Sequence, residues 1–177
     1  SLATFLLILI SPFMLLIALA LKIEGGSVLF AHQRIGKNGR KFYCYKFRSM
    51  KLNEDTESEA SKNDPRVTKT GKFMRKTSMD ELPQFINVLK GQMSVVGPRP
   101  HMLTHTESYR NLIDSFMVRH LISPGITGLA QSMGLRGETP KTENMEARVK
   151  ADVYYLENWS LLLDLKIILS TAWDMIR

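Results

Sequence analysis

The chain has a single cysteine among its 177 residues, Cys44. That excludes an internal disulfide and any paired-cysteine metal site, fits a reducing compartment, and leaves Cys44 to be read as a small buried residue. From Ser1 to Leu21 there is no charged side chain. A helix of that length, at ~1.5 Å rise, covers about 32 Å, close to the hydrocarbon thickness of a bilayer. No positive charge precedes the run, so a secretory signal peptide fits poorly. His101 and His105 are spaced i, i+4, but no Glu follows His101 to make an HExxH pattern and no third ligand is evident. They are read as polar surface histidines, and no metal is assigned to them. No internal repeat is present.

What the chain does have is basic charge, unevenly placed. The net charge is +7, and Lys22 to Met50 holds seven basic residues against one acidic, Glu24. A basic cluster directly after an apolar run marks the cytoplasmic side of a bilayer with anionic lipids. Nucleic acid, the other common partner of basic proteins, is the weaker reading beside such a segment. The length fits one domain able to bury a core. Ser1 is not an initiator methionine, so the chain is expected to be processed or cut from something longer.

Within the apolar run, Ser11-Pro12 predicts a kink, because Pro12 has no N–H and its ring crowds the Ile8 carbonyl. The Ser11 hydroxyl can satisfy part of the freed backbone. A kinked helix can span, or dip into one leaflet and return, and the residues alone leave both open. Val28 to Gln33 and Lys41 to Arg48 read as strands around Gly36-Lys37-Asn38-Gly39, Asn-Gly being a strong hairpin signal. Asn53 to Asp64, acidic among Ser and Asn, reads as a solvated surface loop. Gly71 to Thr77 is a short helix. Ser78 then caps a second helix reaching about Lys90, with Glu81 in the capping-box position. His101 to Ile122 and Glu143 to Trp159 contain further helices, and the Leu- and Ile-rich Ser160 to Arg177 should lie on the membrane surface or on the domain. The class is α+β, mostly helical: a kinked membrane helix over 1–24, then a small cytoplasmic domain over 25–177 with short strands and surface-lying amphipathic helices.

Chemistry concentrates at Thr77-Ser78-Met79-Asp80-Glu81-Leu82-Pro83-Gln84 and Val96-Gly97-Pro98-Arg99-Pro100. Two carboxylates stand among Arg75, Lys76 and Arg99, which is what reaction at a phosphate requires. Acidic residues in a first helical turn also have a plain dipole explanation. However, consecutive helical residues point about 100° apart, so Asp80 and Glu81 can serve two partners at one site. Pro98 and Pro100 fix the backbone around Arg99. Lys46 and Arg48 alternate with Tyr45 and Phe47, which would put both cations on one strand face; an ordinary amphipathic strand and a phosphate contact are equally good readings. Gly134-Leu135-Arg136-Gly137-Glu138-Thr139 is either a ligand loop or a turn.

These segments, with Lys46-Phe47-Arg48-Ser49-Met50, Asn87-Val88-Leu89-Lys90-Gly91, Pro124-Gly125-Ile126-Thr127-Gly128 and Asn158-Trp159-Ser160 before Leu163-Asp164-Leu165-Lys166, resemble the bacterial sugar transferases, the monotopic phosphoglycosyl transferases, over nearly the whole chain. The resemblance implies a re-entrant helix broken at Ser11 and Pro12. It implies transfer of a sugar phosphate from a UDP-sugar to undecaprenyl phosphate with release of UMP, on the cytoplasmic face of the bacterial inner membrane. It makes Asp80 the covalent nucleophile, gives Glu81, with Asp80, a required magnesium ion, and assigns donor phosphates to Lys46, Arg75 and Arg99. His101-Met102-Leu103 and the loop at Arg136 look most like the larger members, which start exopolysaccharide or capsule repeat units and often take UDP-glucose. Leu129 stands where the family commonly has Trp, so a role that needs that ring is not carried over to this chain. The rival expectation is a non-catalytic membrane-associated module binding lipid or a partner, and oligomers are compatible with either.

Overall fold

The computed structural model describes residues 2–51, 64–113, 115–135, 137 and 142–176. Of the expected features, the loop at 53–63, Arg136, Glu138, Thr139 and the side chain of His105 lie outside them.

Helix α1, Leu2–Ile23, is continuous through Pro12. The break expected at Ser11-Pro12 therefore does not end the helix. Ser11 Oγ donates to the Ile8 carbonyl at 2.8 Å, replacing the donor that proline removes at that same carbonyl. Among the described residues no helix is long and apolar enough to cross a membrane. The second half of α1 packs one face onto the rest of the chain. Leu21 is fully buried with Phe47 and Met74, and Met14, Ile17 and Ala18 join them at helical spacing. Ile8, Leu9, Leu15, Leu16 and Leu19 stay exposed.

Strands β1, Leu29–Ile35, and β2, Lys41–Phe47, pair antiparallel from Leu29↔Phe47 to Ile35↔Lys41. The turn uses positive φ at Asn38 and Gly39, as the Asn-Gly pair predicts. Helix α2, Lys69–Lys76, is capped by Thr68, whose hydroxyl accepts from Gly71 N. A Cβ at Gly71 would run into the Ser49 carbonyl, so glycine is what lets α2 lie against the strand exit.

The single helix expected from Ser78 to Lys90 is two pieces. Ser78 sits in the left-handed region (φ 54°) and caps nothing with its side chain. A 3₁₀ turn at Met79–Glu81 follows, then α3, Gln84–Leu89, entered through Pro83. Proline is welcome at a helix entry but not inside one, which explains the division.

Strands β3, Ser94–Val96, and β4, Gly125–Thr127, form a parallel pair that the sequence pattern did not announce. Gly97, Gly125 and Gly128 face one another too closely for any Cβ. Between them lie α4, Leu103–Tyr109, and a 3₁₀ segment Phe116–Leu121, where one helix was expected. Short α5, Leu129–Ser132, leads to α6, Thr142–Glu157, and α7, Leu161–Ile176. The corner between α6 and α7 is latched by Asp164, which accepts from Tyr155 Oη at 2.7 Å and Trp159 Nε1 at 3.2 Å. This mixed, mostly helical fold leaves Leu161, Leu162, Leu165, Leu169 and Trp173 of α7 exposed.

Candidate active site

Three chain segments meet at the 3₁₀ turn that carries Asp80 and Glu81. Strand β2 brings Lys46, whose Nζ lies 2.6 Å from Glu81 Oε1. The segment after β3 brings Arg99, which donates from Nη2 to Glu81 Oε1 at 2.9 Å and from Nη1 to Oε2 at 3.4 Å. Helix α2 brings Arg75, whose Nε donates to Ser49 Oγ at 2.8 Å and which acts electrostatically on Asp80. Strand β2 is held in place by buried Asn87. Its Oδ1 accepts from Tyr45 N at 3.0 Å and its Nδ2 donates to Tyr43 O at 2.7 Å, which fixes the strand just before Lys46. In the sequence Asn87 stands out only as part of a motif; its work is to fix the register that presents Lys46.

The neighbouring carboxylates are treated in opposite ways. Burial opposes the charge on Glu81, but Arg99 and Lys46, by charge and by hydrogen bonds, hold its carboxyl well below the usual range. Glu81 in turn raises Arg99. Asp80 is buried, and among the described residues its carboxylate takes part in no hydrogen bond or ion pair. Burial pushes its pKa up; Lys46, Arg75 and Arg99 pull against that, and Glu81 adds to it. A carboxylate without hydrogen-bond partners keeps its lone pairs free for an electrophile, and a raised pKa makes it a better nucleophile once ionised.

Arg48 does not join this group as the strand alternation predicted. Strand β2 ends at Phe47, and Arg48 turns to donate to the Leu21 carbonyl at 3.2 Å, its buried Nε without a partner among the described residues. It caps the end of α1 and ties that helix to the domain. His101 is another correction: it is buried rather than on the surface, and Arg119 Nη1 lies 3.0 Å from its Nδ1. Cys44 is buried as expected, and burial raises its thiol pKa.

Among the described residues no cluster of three or more His, Cys, Asp or Glu could hold a metal by protein ligands alone. Magnesium needs fewer, taking one or two carboxylates together with substrate phosphate oxygens. Asp80 fits that requirement as it stands. Glu81 fits only by exchanging contacts, because its oxygens already face Lys46 and Arg99.

The family model described as "Bacterial sugar transferase" matches residues 1–177. A UDP-glucose:undecaprenyl-phosphate glucose-1-phosphate transferase of Klebsiella pneumoniae is 55% identical over 97% of the chain and 37% of its own length. The exopolysaccharide production protein PSS of Rhizobium leguminosarum bv. phaseoli is 44% identical over 94% of the chain and 86% of its own length. A UDP-N-acetylgalactosamine-undecaprenyl-phosphate N-acetylgalactosaminephosphotransferase of Aeromonas hydrophila is 43% identical over 92% and 39%. The chain thus spans well under half the length of the Klebsiella and Aeromonas relatives. With a match that runs from the first residue to the last, around a buried carboxylate ringed by cations, the chain belongs to the bacterial sugar transferase family.

Proposed function

We propose that this chain is the catalytic domain of a phosphoglycosyl transferase that moves a sugar 1-phosphate from a UDP-sugar to undecaprenyl phosphate and releases UMP. The observation that carries the reading is the contrast at the turn: Asp80 buried and, among the described residues, without hydrogen bonds, beside Glu81 held by Lys46 and Arg99. In the first half-reaction an Asp80 oxygen attacks the sugar-bearing phosphorus of the donor. The new O–P bond forms as the bridging P–O bond breaks, and UMP leaves with that oxygen and its electron pair. In the second, a phosphate oxygen of undecaprenyl phosphate attacks the same phosphorus and returns Asp80 as a carboxylate. No proton needs to move, so no general base is required.

A carboxylate attacks a diphosphate only where cations suppress the repulsion between anions. Arg99 and Lys46, already facing an anion, are suited to donate to phosphate oxygens in place of Glu81. Arg75, which uses Nε on Ser49, has its terminal nitrogens to offer. Magnesium, held by Asp80 and the diphosphate and by Glu81 once it parts from its cations, would neutralise further phosphate charge.

The acceptor is a lipid, and the apolar surfaces fit that. Exposed Leu9, Leu15, Leu16 and Leu19 on α1 and Leu161, Leu165, Leu169 and Trp173 on α7 offer faces to a bilayer. For residues 1–21 to enter and leave by the cytoplasmic face, α1 would have to bend sharply at Pro12 while staying helical, with the basic residues from Lys22 onward against anionic headgroups. UDP-glucose is the first donor to test, since it is the donor named in the Klebsiella relative.

The experiment is UMP release by the purified chain in detergent, with UDP-glucose, undecaprenyl phosphate and magnesium, followed by other UDP-sugars. Release that stops in excess chelator and returns with magnesium is the expected result. Absence of release from every UDP-sugar, with vesicle binding intact, would establish the non-catalytic lipid-binding module instead.

A further inference from the structure

We propose that Arg119 is a positioning residue that acts through Arg99: its buried guanidinium grips the backbone carbonyl of Arg99 and so aims the Arg99 side chain at the reacting phosphate. The inference rests on the reading of Arg99 as a donor-phosphate ligand.

The segment Pro98-Arg99-Pro100 has an unusual need for outside support. Neither proline has an N–H, so little local hydrogen bonding is available to hold it. Three other elements supply the holding. Pro98 O accepts from Gly125 N of β4 at 2.9 Å, and His101 O accepts from Ile35 N of β1 at 3.3 Å. Between them, Arg99 O accepts from Arg119 Nη2 at 3.0 Å. The first and last are backbone bonds that many sequences could make. The middle one is a side-chain bond, and it lands on the residue whose guanidinium pairs with Glu81.

Arg119 is itself over-determined. Asp152 of α6 places Oδ2 2.6 Å from Arg119 Nη2, with both side chains almost wholly buried at 3% and 2% exposure. That contact is an ion pair without hydrogen-bond alignment, since Asp152 Oδ2 has no hydrogen-bond partner among the described residues. His101 meets Nη1, and the Phe116 ring lies 5.6 Å from the guanidinium carbon. A buried ion pair is a poor way to gain stability compared with apolar packing, but its planar fork fixes direction. With only 3% of its side chain exposed, Arg119 offers no surface to a bound donor, so it acts through Arg99.

The test is a double-mutant cycle read as kcat/KM for UDP-glucose by UMP release, with undecaprenyl phosphate and magnesium present. Arg119→Lys keeps the charge and loses the fork. It should lower kcat/KM by roughly 10- to 100-fold, the scale on which a misplaced contact acts. Placed in an Arg99→Ala background, the same change should cost under about threefold, because the side chain being aimed is gone. Equal losses in both backgrounds would overturn the proposal, as would no loss in the first. If Arg119→Lys fails to fold, Asp152→Asn, which leaves Arg119 in place without its counter-ion, runs the same cycle. There too, a loss that shrinks in the Arg99→Ala background supports the proposal and equal losses overturn it. A second readout is independent of turnover. Hydrogen exchange at the Gly125 and Ile35 amides should quicken in the variant while Tyr45, held by Asn87, stays protected; unchanged exchange at Gly125 and Ile35 sinks the idea. If the wild type releases no UMP from UDP-glucose, the activity reading fails, and the exchange measurement alone decides the role of Arg119.

Discussion

Two of the ion-pair clusters about arginine, those of Arg99 and Arg119, are built to opposite ends. In the first, Glu81 is shared by Lys46 and Arg99, whose side chains keep 23% and 39% of their exposure. In the second, Arg119 and Asp152 keep only 3% and 2%. Water and ligands can reach the first pair of cations, so under the proposed function an incoming diphosphate would replace Glu81 at modest cost. Nothing can replace Asp152, because an uncompensated charge at that depth is intolerable. One cluster is made to exchange partners and the other to stay still, and the Arg99 peptide joins them. Asp80, beside the exchangeable cluster but outside its hydrogen bonds, is free to react.

The largest expected effect separates Asp80 from both clusters. Asp80→Asn keeps the shape and removes the charge, and it should cut UMP release by roughly 10³-fold or more, as loss of a nucleophile does. The melting temperature should barely move, because among the described residues Asp80 makes no hydrogen bond or ion pair that the change would remove. Labelled donor without acceptor should leave a sugar phosphate on Asp80 in the wild type. A ternary mechanism would leave no adduct and no exchange of labelled UMP into donor.

Stability separates the clusters from each other. Asp152→Ala strands a buried guanidinium and should cost about 3–5 kcal/mol. Glu81→Ala leaves Lys46 and Arg99 able to find water and should cost about 1 kcal/mol or less, while abolishing transfer. Urea unfolding of the two variants measures the difference directly. Equal losses would mean the two clusters do not differ in the way their exposure implies.

These clusters are unequally legible in the sequence. Asp80, Glu81, Lys46 and Arg99 stand in recognisable segments, and the structure does bring Lys46 and Arg99 onto Glu81. The hairpin turn is legible because Asn38-Gly39 demands positive φ. Arg48 departs from the expected face because alternation holds only as far as the end of β2 at Phe47. The β3–β4 pair is hidden because strands of three residues among glycines and prolines carry no period to detect. Arg119 and Asp152 are hidden for a deeper reason: their pairing is long-range, between a 3₁₀ segment and a helix, and no local spacing encodes it. A charged residue inside the apolar run Phe116-Met117-Val118-Arg119-His120-Leu121 is the one signal available.

Titration sharpens the contrast within the turn itself. Asp80 is raised above its ordinary value of 3.8, first by burial and also by Glu81, against Lys46, Arg75 and Arg99. A carboxyl raised on folding adds stability at pH below its unfolded value and loses it as pH climbs through the folded one. Glu81 is lowered, so its contribution is present above the ordinary 4.5 and is lost as pH falls through its folded value. Carboxyl-carbon NMR should therefore find the Asp80 midpoint above 3.8, with the lower midpoint belonging to Glu81. Glu81→Gln removes a negative neighbour and frees two cations, so the Asp80 midpoint should fall. A rise on that substitution would mean that Lys46 and Arg99 move away when Glu81 loses its charge.

The smallest effect concerns the backbone that presents the reacting pair. Ser78, two residues before Asp80, is held at φ 54° and ψ 18°, and its side chain makes no cap there. A left-handed conformation costs a non-glycine residue about 1–2 kcal/mol, and glycine avoids that cost while adding entropy to the unfolded chain. These terms partly cancel, so Ser78→Gly should stabilise the fold by about 0.5–1 kcal/mol in urea unfolding. The buried cluster has no such reserve: among described non-glycine residues, positive φ occurs at Asn38 and Ser78 alone, and Asn38 belongs to the hairpin. Strain at a reactive turn persists where surrounding contacts over-determine it. Relaxing it should loosen the angle at which Asp80 meets phosphorus, so transfer should slow severalfold even as the protein becomes harder to unfold. Stability and rate rising together in Ser78→Gly would show that the left-handed residue is only a fold requirement. A fall in stability would show that the Ser78 side chain contributes more than its conformation costs.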